Sequence, residues 1–157
     1  MDRPSTSNRY LAEHAALLLD CFQRLTGRTL LPDEDLLDGP SPAEALFSAP
    51  FAVVSHDVSD DPIFNYGNRT ALALFEMTFE EFTHLPSRCS AEPAAREERE
   101  RLLHAVTTRG YIDDYAGIRI SKGGRRFRIE SATVWNLHAS SGAYRGQAAT
   151  FSRWRFV

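Results

Sequence analysis

The sequence predicts an α+β domain, a five-stranded antiparallel sheet with its helices on one face, preceded by an N-terminal amphipathic helix. Three observations carry that expectation. Apolar residues recur at helical spacing near the start of the chain, two short strand-like runs precede a block of helical sequence, and the last third is rich in strand-forming residues. An order of helix, two strands, three helices and three strands sets a run of helices between two runs of strands, as segregated layers require.

Each element has its own reason. In residues 7–25, Leu11, Ala15, Leu18, Phe22 and Leu25 share one helical face while Arg9, Glu13, Asp20 and Arg24 hold the other, an amphipathic pattern. Leu17, Leu19 and Cys21 widen the apolar face, so this helix either packs on its own domain or pairs with another copy. Gly27 stops it, and residues 26–42 read as an irregular connector. "FAVVSHDV" and "IFNY" flank the turn "SDDP" and predict a hairpin over 51–66. Asn68 caps "RTALALF", and Thr78 with Glu81 forms a capping box on "FEEFTHL", because short helices must satisfy their first amide groups from side chains. A longer helix begins near Glu92–Pro93, runs through Leu102, Leu103 and Val106, and ends at Gly110. "YIDDYAGIRIS" and "RRFRIESATVWNLH" meet through "KGG" as a second hairpin, and "YRGQAATFSRWRFV" closes the sheet. The chain divides into an N-terminal helix with its connector, 1–46, and the domain proper, 47–157.

Composition narrows the function. The 157 residues, 43% hydrophobic and 25% charged, suffice for one domain with a real core. A formal net charge of −3 supplies no global field for nucleic acid or an acidic membrane. No apolar run approaches the ~20 residues needed to span a bilayer, and "AALLL" lacks the flanks of a signal peptide. Cys21 and Cys89 have no motif spacing, so a reducing setting, the cytoplasm, is expected.

The stretch "NYGNRTALALF" followed by "MTFEEF" resembles the N-terminal half of PAS domains. The closing "GIRISKGGRRFRIESATVWNL" and "GQAATFSRWRFV" resemble the MEKHLA family of PAS-like domains, which occurs as a free-standing bacterial protein and at the C-terminus of plant class III homeodomain–leucine-zipper factors. The resemblance covers roughly 47–157. It implies a sensing or interaction module, not an enzyme, with no catalytic residue set. The N-terminal helix is similar to the flanking helices by which many PAS proteins dimerise, which implies a homodimer through that helix. Cys89 invites comparison with the photoactive flavin-binding subgroup, but the Asn-Cys-Arg-Phe-Leu run is absent and Gln147 follows its glycine one residue too early; no cofactor is expected.

The candidate site is a ligand pocket between the inner sheet face and the short helices. Strict alternation along 125–137 points Phe127, Ile129 and Trp135 inward, with Ser131 and Thr133 between them leaving space and hydrogen-bonding groups. Phe64, Leu72, Phe75 and Phe82 supply the opposite wall, Asn68 the frame or a contact, and Tyr115 the mouth. Arg88 faces the expected entrance, where a guanidinium could hold a carboxylate or pair with one inside the protein. The expected ligand is a small apolar or aromatic organic molecule. Alternatively the core is dry and the outward Val134 and "RWRFV" form an interface.

Other chemistry is not expected. His56, Asp57, Asp60 and Asp61 match no metal spacing. Arg119, Arg126 and Arg128 are placed on the outward face, where neighbouring acids argue against nucleic acid. The competing class is a small cone-fold enzyme of the nuclear-transport-factor-2-like type acting on a small hydrophobic substrate. Its one histidine–aspartate pair, His56–Asp57, would point to opposite faces of a strand.

Overall fold

The computed structural model describes residues 2–36 and 39–157; positions 37–38 of the expected connector lie outside the described residues. The helices are α1 (Ala12–Thr26), α2 (Pro42–Ser48), α3 (Arg69–Phe75), α4 (Phe79–Phe82) and α5 (Pro93–Arg109). The strands are β1 (Ala52–His56), β2 (Phe64–Gly67), β3 (Tyr111–Ile120), β4 (Arg126–His138), β5 (Tyr144–Phe151) and β6 (Arg153–Phe156). They form one antiparallel sheet in the order β2-β1-β5-β4-β3, with β6 also on β4. Thr133 faces Thr150 and Glu130 faces Arg153, so β5 and β6 run along β4 in one register, interrupted at Ser152. The expected fifth strand is thus present as two pieces.

The expected caps are in place. Asn68 Oδ1 accepts from Ala71 N at 3.1 Å, Thr78 and Glu81 complete their capping box, and Gly27 and Gly110 end their helices with positive φ. Two expectations are corrected. The first helix starts at Ala12, because Arg9, Tyr10 and Leu11 all take left-handed φ and Tyr10 turns its ring to Phe47. The stretch at 42–48 is helical, with Ser41 Oγ accepting from Glu44 N and proline in the first turn. That "SPAE" signal was available in the sequence.

The two faces of the sheet are covered differently. Helices α3, α4 and α5 lie on one face, as expected. Helix α1 covers the other: its buried residues Ala15, Leu18, Cys21 and Phe22 meet β4, with Phe22 edge-on to Trp135 at 5.0 Å and Cys21 bonded to the His138 carbonyl. The apolar stripe of α1 is therefore spent on its own sheet. Burying a Phe, a Leu and their neighbours is worth several kcal/mol, at ~1.5–3 kcal/mol per large side chain.

Strict alternation along β4 fails at Ser131. That residue is exposed with φ 53°, a left-handed insertion that shifts the pairing with β3. A second left-handed residue, Asp114 with φ 58°, shifts it back, so Ile112 faces Val134 and Ile118 faces Arg128. A bulged residue exchanges the faces of everything beyond it. Phe127 and Ile129 point to α3 and α5 as expected. Beyond the bulge the even residues Ala132, Val134 and Asn136 take that face, and Thr133, Trp135 and Leu137 turn to the α1 side.

Candidate functional site

The inner face and α5 enclose a cavity of about 60 Å³. Its floor is Val54, Ile129, Val134 and Ala149; Phe64 and Phe75 form one wall, and Leu102 and Leu103 of α5 the roof. Five larger polar side chains also line it: His56, Arg99, Tyr115, Arg119 and Gln147. A site mostly apolar with a few convergent polar groups is the usual form of a small-molecule pocket.

Local structure fixes each polar group. Gln147 sits on β5 opposite His56 and Asn136, and the two N–H groups of its amide are shared among Leu103 O, Thr107 Oγ1 and Asn136 Oδ1, each 3.0 Å from the nitrogen. Asn136 in turn donates to Val106 O at 2.9 Å. This network ties α5, an otherwise polar helix, onto the sheet. His56 Nδ1–H donates to the Asp57 carbonyl at 2.9 Å. Its Nε2 is buried and finds no partner among the described residues. Burial is the main cause that holds the ring below its ordinary pKa, and the Arg99 charge adds to it, so the imidazole is a neutral acceptor. Arg99 is only 7% exposed. Its Nη2 donates to Ser87 Oγ at 2.6 Å. Burial first, then repulsion by Arg119, lowers its pKa to about 10. Arg119 donates to Tyr115 Oη at 2.9 Å and to the Ile118 carbonyl at 3.0 Å. Among the described residues neither Arg99 nor Arg119 is in an ion pair.

The structure brings together three of the expected residues, Phe64, Phe75 and Tyr115, at this cavity. Phe82 stands behind Phe64, stacked at 4.1 Å, and Phe127 behind Phe75 at 5.2 Å. Leu72 is a core residue of α3 outside the lining. Asn68 is fully buried, and its amide is spent on the protein: Oδ1 accepts from Val53 and Ala71, and Nδ2 donates to Leu46 and Phe51 carbonyls. Arg88 grips Asp61 through Nε at 3.0 and 3.1 Å, the internal pairing foreseen as its alternative. Ser131, Thr133 and Trp135 are corrected: the bulge puts Ser131 in solvent, hands the Thr133 hydroxyl to Asp113, and buries Trp135 beneath Phe22.

Residues absent from the expected site are equally instructive. Val134, expected outside, is part of the floor for the same reason. Arg119, also expected outside, faces Phe127 across the hairpin and shares its inner face, because directly opposed residues in an antiparallel pair lie on one side. The hairpin register was the signal that could have found it. Arg99 carried no signal, since one arginine in "REERERLL" is indistinguishable from its neighbours.

The His56–Asp57 pair of the enzyme alternative does not form through side chains. Asp57 Oδ1 instead accepts from Ser59 N and Ile63 N in the hairpin turn. Among the described residues no group of three or more His, Cys, Asp or Glu could hold a metal ion, and no helix is long and apolar enough to cross a membrane.

Comparison with known proteins fits this architecture. The MEKHLA domain family model matches residues 12–156. The chain belongs to the MEKHLA domain family. The match reaches back over α1, whose buried face shares the core of the sheet. No curated protein matches the sequence. Among solved structures, a PAS domain from Colwellia psychrerythraea is 18% identical, with TM-score 0.61 over 73% of this chain and 92% of that one. An RNA-binding light-oxygen-voltage receptor is 17% identical, with TM-score 0.58, over 78% of this chain and 33% of the receptor. The PAS domain of a LuxR-family transcriptional regulator from Burkholderia thailandensis, in complex with ethanol, is 19% identical, with TM-score 0.52, over 68% and 91%. At these identities the likeness establishes the fold: this MEKHLA domain is PAS-like, and the cone-fold alternative is set aside. A flavin does not fit here. The cavity of about 60 Å³ is far below the ~300–1,000 Å³ of pockets for drug-sized ligands, and Cys89 does not line it.

Proposed function

We propose that this MEKHLA domain is a non-enzymatic sensory module in which 47–157 binds a small organic molecule and 1–46 reports its presence. The observation that carries the reading is the position of the cavity relative to α1. One layer of sheet separates them: Val134 lines the cavity, while the next residue along the same strand, Trp135, packs against Phe22 of α1. A ligand that spreads the floor acts directly on the surface where α1 is seated. Coupling requires only that the ligand bind the docked and undocked arrangements with different affinity. Freed of the sheet, the apolar stripe of α1 becomes a surface for pairing two copies, so homodimerisation through the N-terminal helix is the proposed output, in the cytoplasm.

The cavity sets the ligand's size. At ~10–15 Å³ for each water-sized position, about 60 Å³ admits a molecule of only a few non-hydrogen atoms. The ethanol complex of the Burkholderia regulator is a ligand of that class in a related fold. Native mass spectrometry of the freshly purified chain, repeated on Ala149→Leu, tests the reading. The expected result is a stoichiometric small adduct in the parent, lost when leucine fills the floor, with a change in the monomer–dimer ratio. An Ala149→Leu protein that keeps the adduct would place the ligand elsewhere and overturn the proposal.

A further inference from the structure

The charge in the cavity is unbalanced, and that narrows the ligand beyond its size. A guanidinium presents five N–H donors, and Arg99, at 7% exposure, gives one to Ser87. Arg119 stands close enough to repel it. The arginines of the six ion pairs among the described residues are Arg28, Arg88, Arg126, Arg128 and Arg155, none of which lines this cavity. Removing a cation from water is costly unless an anion accompanies it. Among the described residues no carboxylate forms an ion pair with Arg99 or Arg119; Glu100 and Asp61 act on the Arg99 charge only from beyond ion-pair distance. His56 is a second buried polar group, 8% exposed, whose Nε2 makes no hydrogen bond among the described residues, with the Gln147 side chain as its polar neighbour. Beside these groups the walls are Phe64, Phe75, Ile129 and Val134, which offer a hydrocarbon tail contact and no further donors.

We propose that the ligand is a short-chain carboxylate, its carboxylate held by Arg99 and Arg119 and its tail laid against Phe64, Phe75 and Ile129. This rests on the small-molecule reading above and names its chemical class. Arginine is suited to the task because its planar fork meets both oxygens of a carboxylate at once. A phosphate would satisfy the arginines but leave the apolar wall unused, and a neutral alcohol or amide would leave both cations uncompensated.

The test is calorimetric titration of the full chain, in a buffer free of carboxylates, with acetate, propionate and butyrate, with propionamide and propanol as neutral counterparts, and with inorganic phosphate. Propionate or butyrate should bind about tenfold or more tightly than propionamide, as a charge-assisted pair lost from a buried site predicts. Arg119→Gln should erase that preference while its circular dichroism and melting stay close to the parent; Arg99→Gln is the second variant. If propionamide or propanol binds as tightly as propionate, the carboxylate assignment fails and the small-molecule cavity survives. If phosphate binds as tightly as butyrate with no dependence on tail length, the site is a general anion site and the assignment fails again. If none of these molecules binds, and native mass spectra show no adduct either, the assignment and the cavity reading fall together.

Discussion

Lowering the pH should loosen α1 from the sheet through a single side chain, His14. Its Nε2 lies 2.9 Å from Ser55 Oγ. The Ser55 hydroxyl donates to Asn65, so the serine oxygen accepts and the imidazole Nε2 carries the proton. A second proton would fall on Nδ1 of a ring packed beside the Tyr66 ring, centroids 5.6 Å apart. Burial accordingly lowers the His14 pKa from 6.5 to about 4. The sign follows by linkage. Above pH 6.5 the ring is neutral in the folded and the unfolded chain, and pH has no leverage through it. Between 6.5 and about 4 the unfolded chain takes up a proton that the folded chain refuses, so stability falls as pH falls. At about 1.36 kcal/mol per pH unit the whole window is worth ~3 kcal/mol. His14→Gln keeps a donor toward Ser55 and cannot titrate. Urea unfolding of parent and variant from about pH 7.5 to about pH 4.5 should show the parent losing ~2–3 kcal/mol relative to the variant, since the carboxylates common to both cancel. A difference that stays constant within ~0.5 kcal/mol across that range would refute the buried, singly protonated seat of His14.

Three further outcomes follow from the packing. Phe22→Ala removes the ring that meets Trp135 edge-on at 5.0 Å and should cost ~3–5 kcal/mol by chemical denaturation; a loss under ~1 kcal/mol would mean α1 is a loose flank and not part of the core. At Ser131, with φ 53° in solvent, glycine should melt at or above the parent and valine ~1–2 kcal/mol below it, and the opposite ranking would deny the bulge. Gly146, with φ 115°, lies against the His56 carbonyl, which a Cβ would overlap. Gly146→Ala should therefore cost on the order of 3 kcal/mol and lose hydrogen-exchange protection first along β1 and β5; a variant as stable as the parent would exclude that close approach.

Local chemistry was legible and long-range parity was not. Asn68, Thr78, Gly27 and Gly110 announced themselves because caps are written in residues that satisfy neighbouring backbone groups. Both hairpins were legible from their turn residues. The bulge at Ser131 was invisible, since a serine forced to positive φ looks in sequence like any strand serine. That one residue moved Thr133 and Trp135 off the expected pocket and brought Val134 into it. Arg119 misled for a related reason: in "IRI" the isoleucines look like the buried positions, yet Ile118 shares its face with Arg128. The stripe on α1 could be read, but no pattern within a helix says which surface will cover it, its own sheet or a second copy.

The stretch from Phe64 to Phe82 now divides cleanly between wall and frame. Phe64 and Phe75 touch the cavity, while Phe82 backs Phe64 and Asn68 locks α3 to β1 and α2. This rigidity bears on the proposed signal. A protein interior packs as densely as an organic crystal and absorbs little displacement. With Phe64 and Phe75 backed by Phe82 and Phe127, and α5 tied down by Gln147 and Asn136, the wall and roof have little room to yield. The floor is different. Val134 and Ala149 stand on strands whose far side carries Trp135 against Phe22, the surface on which α1 is seated. A ligand pressing on this cavity therefore meets least resistance toward α1. That asymmetry makes the N-terminal helix, and not the short helices beside the pocket, the element whose position should report occupancy.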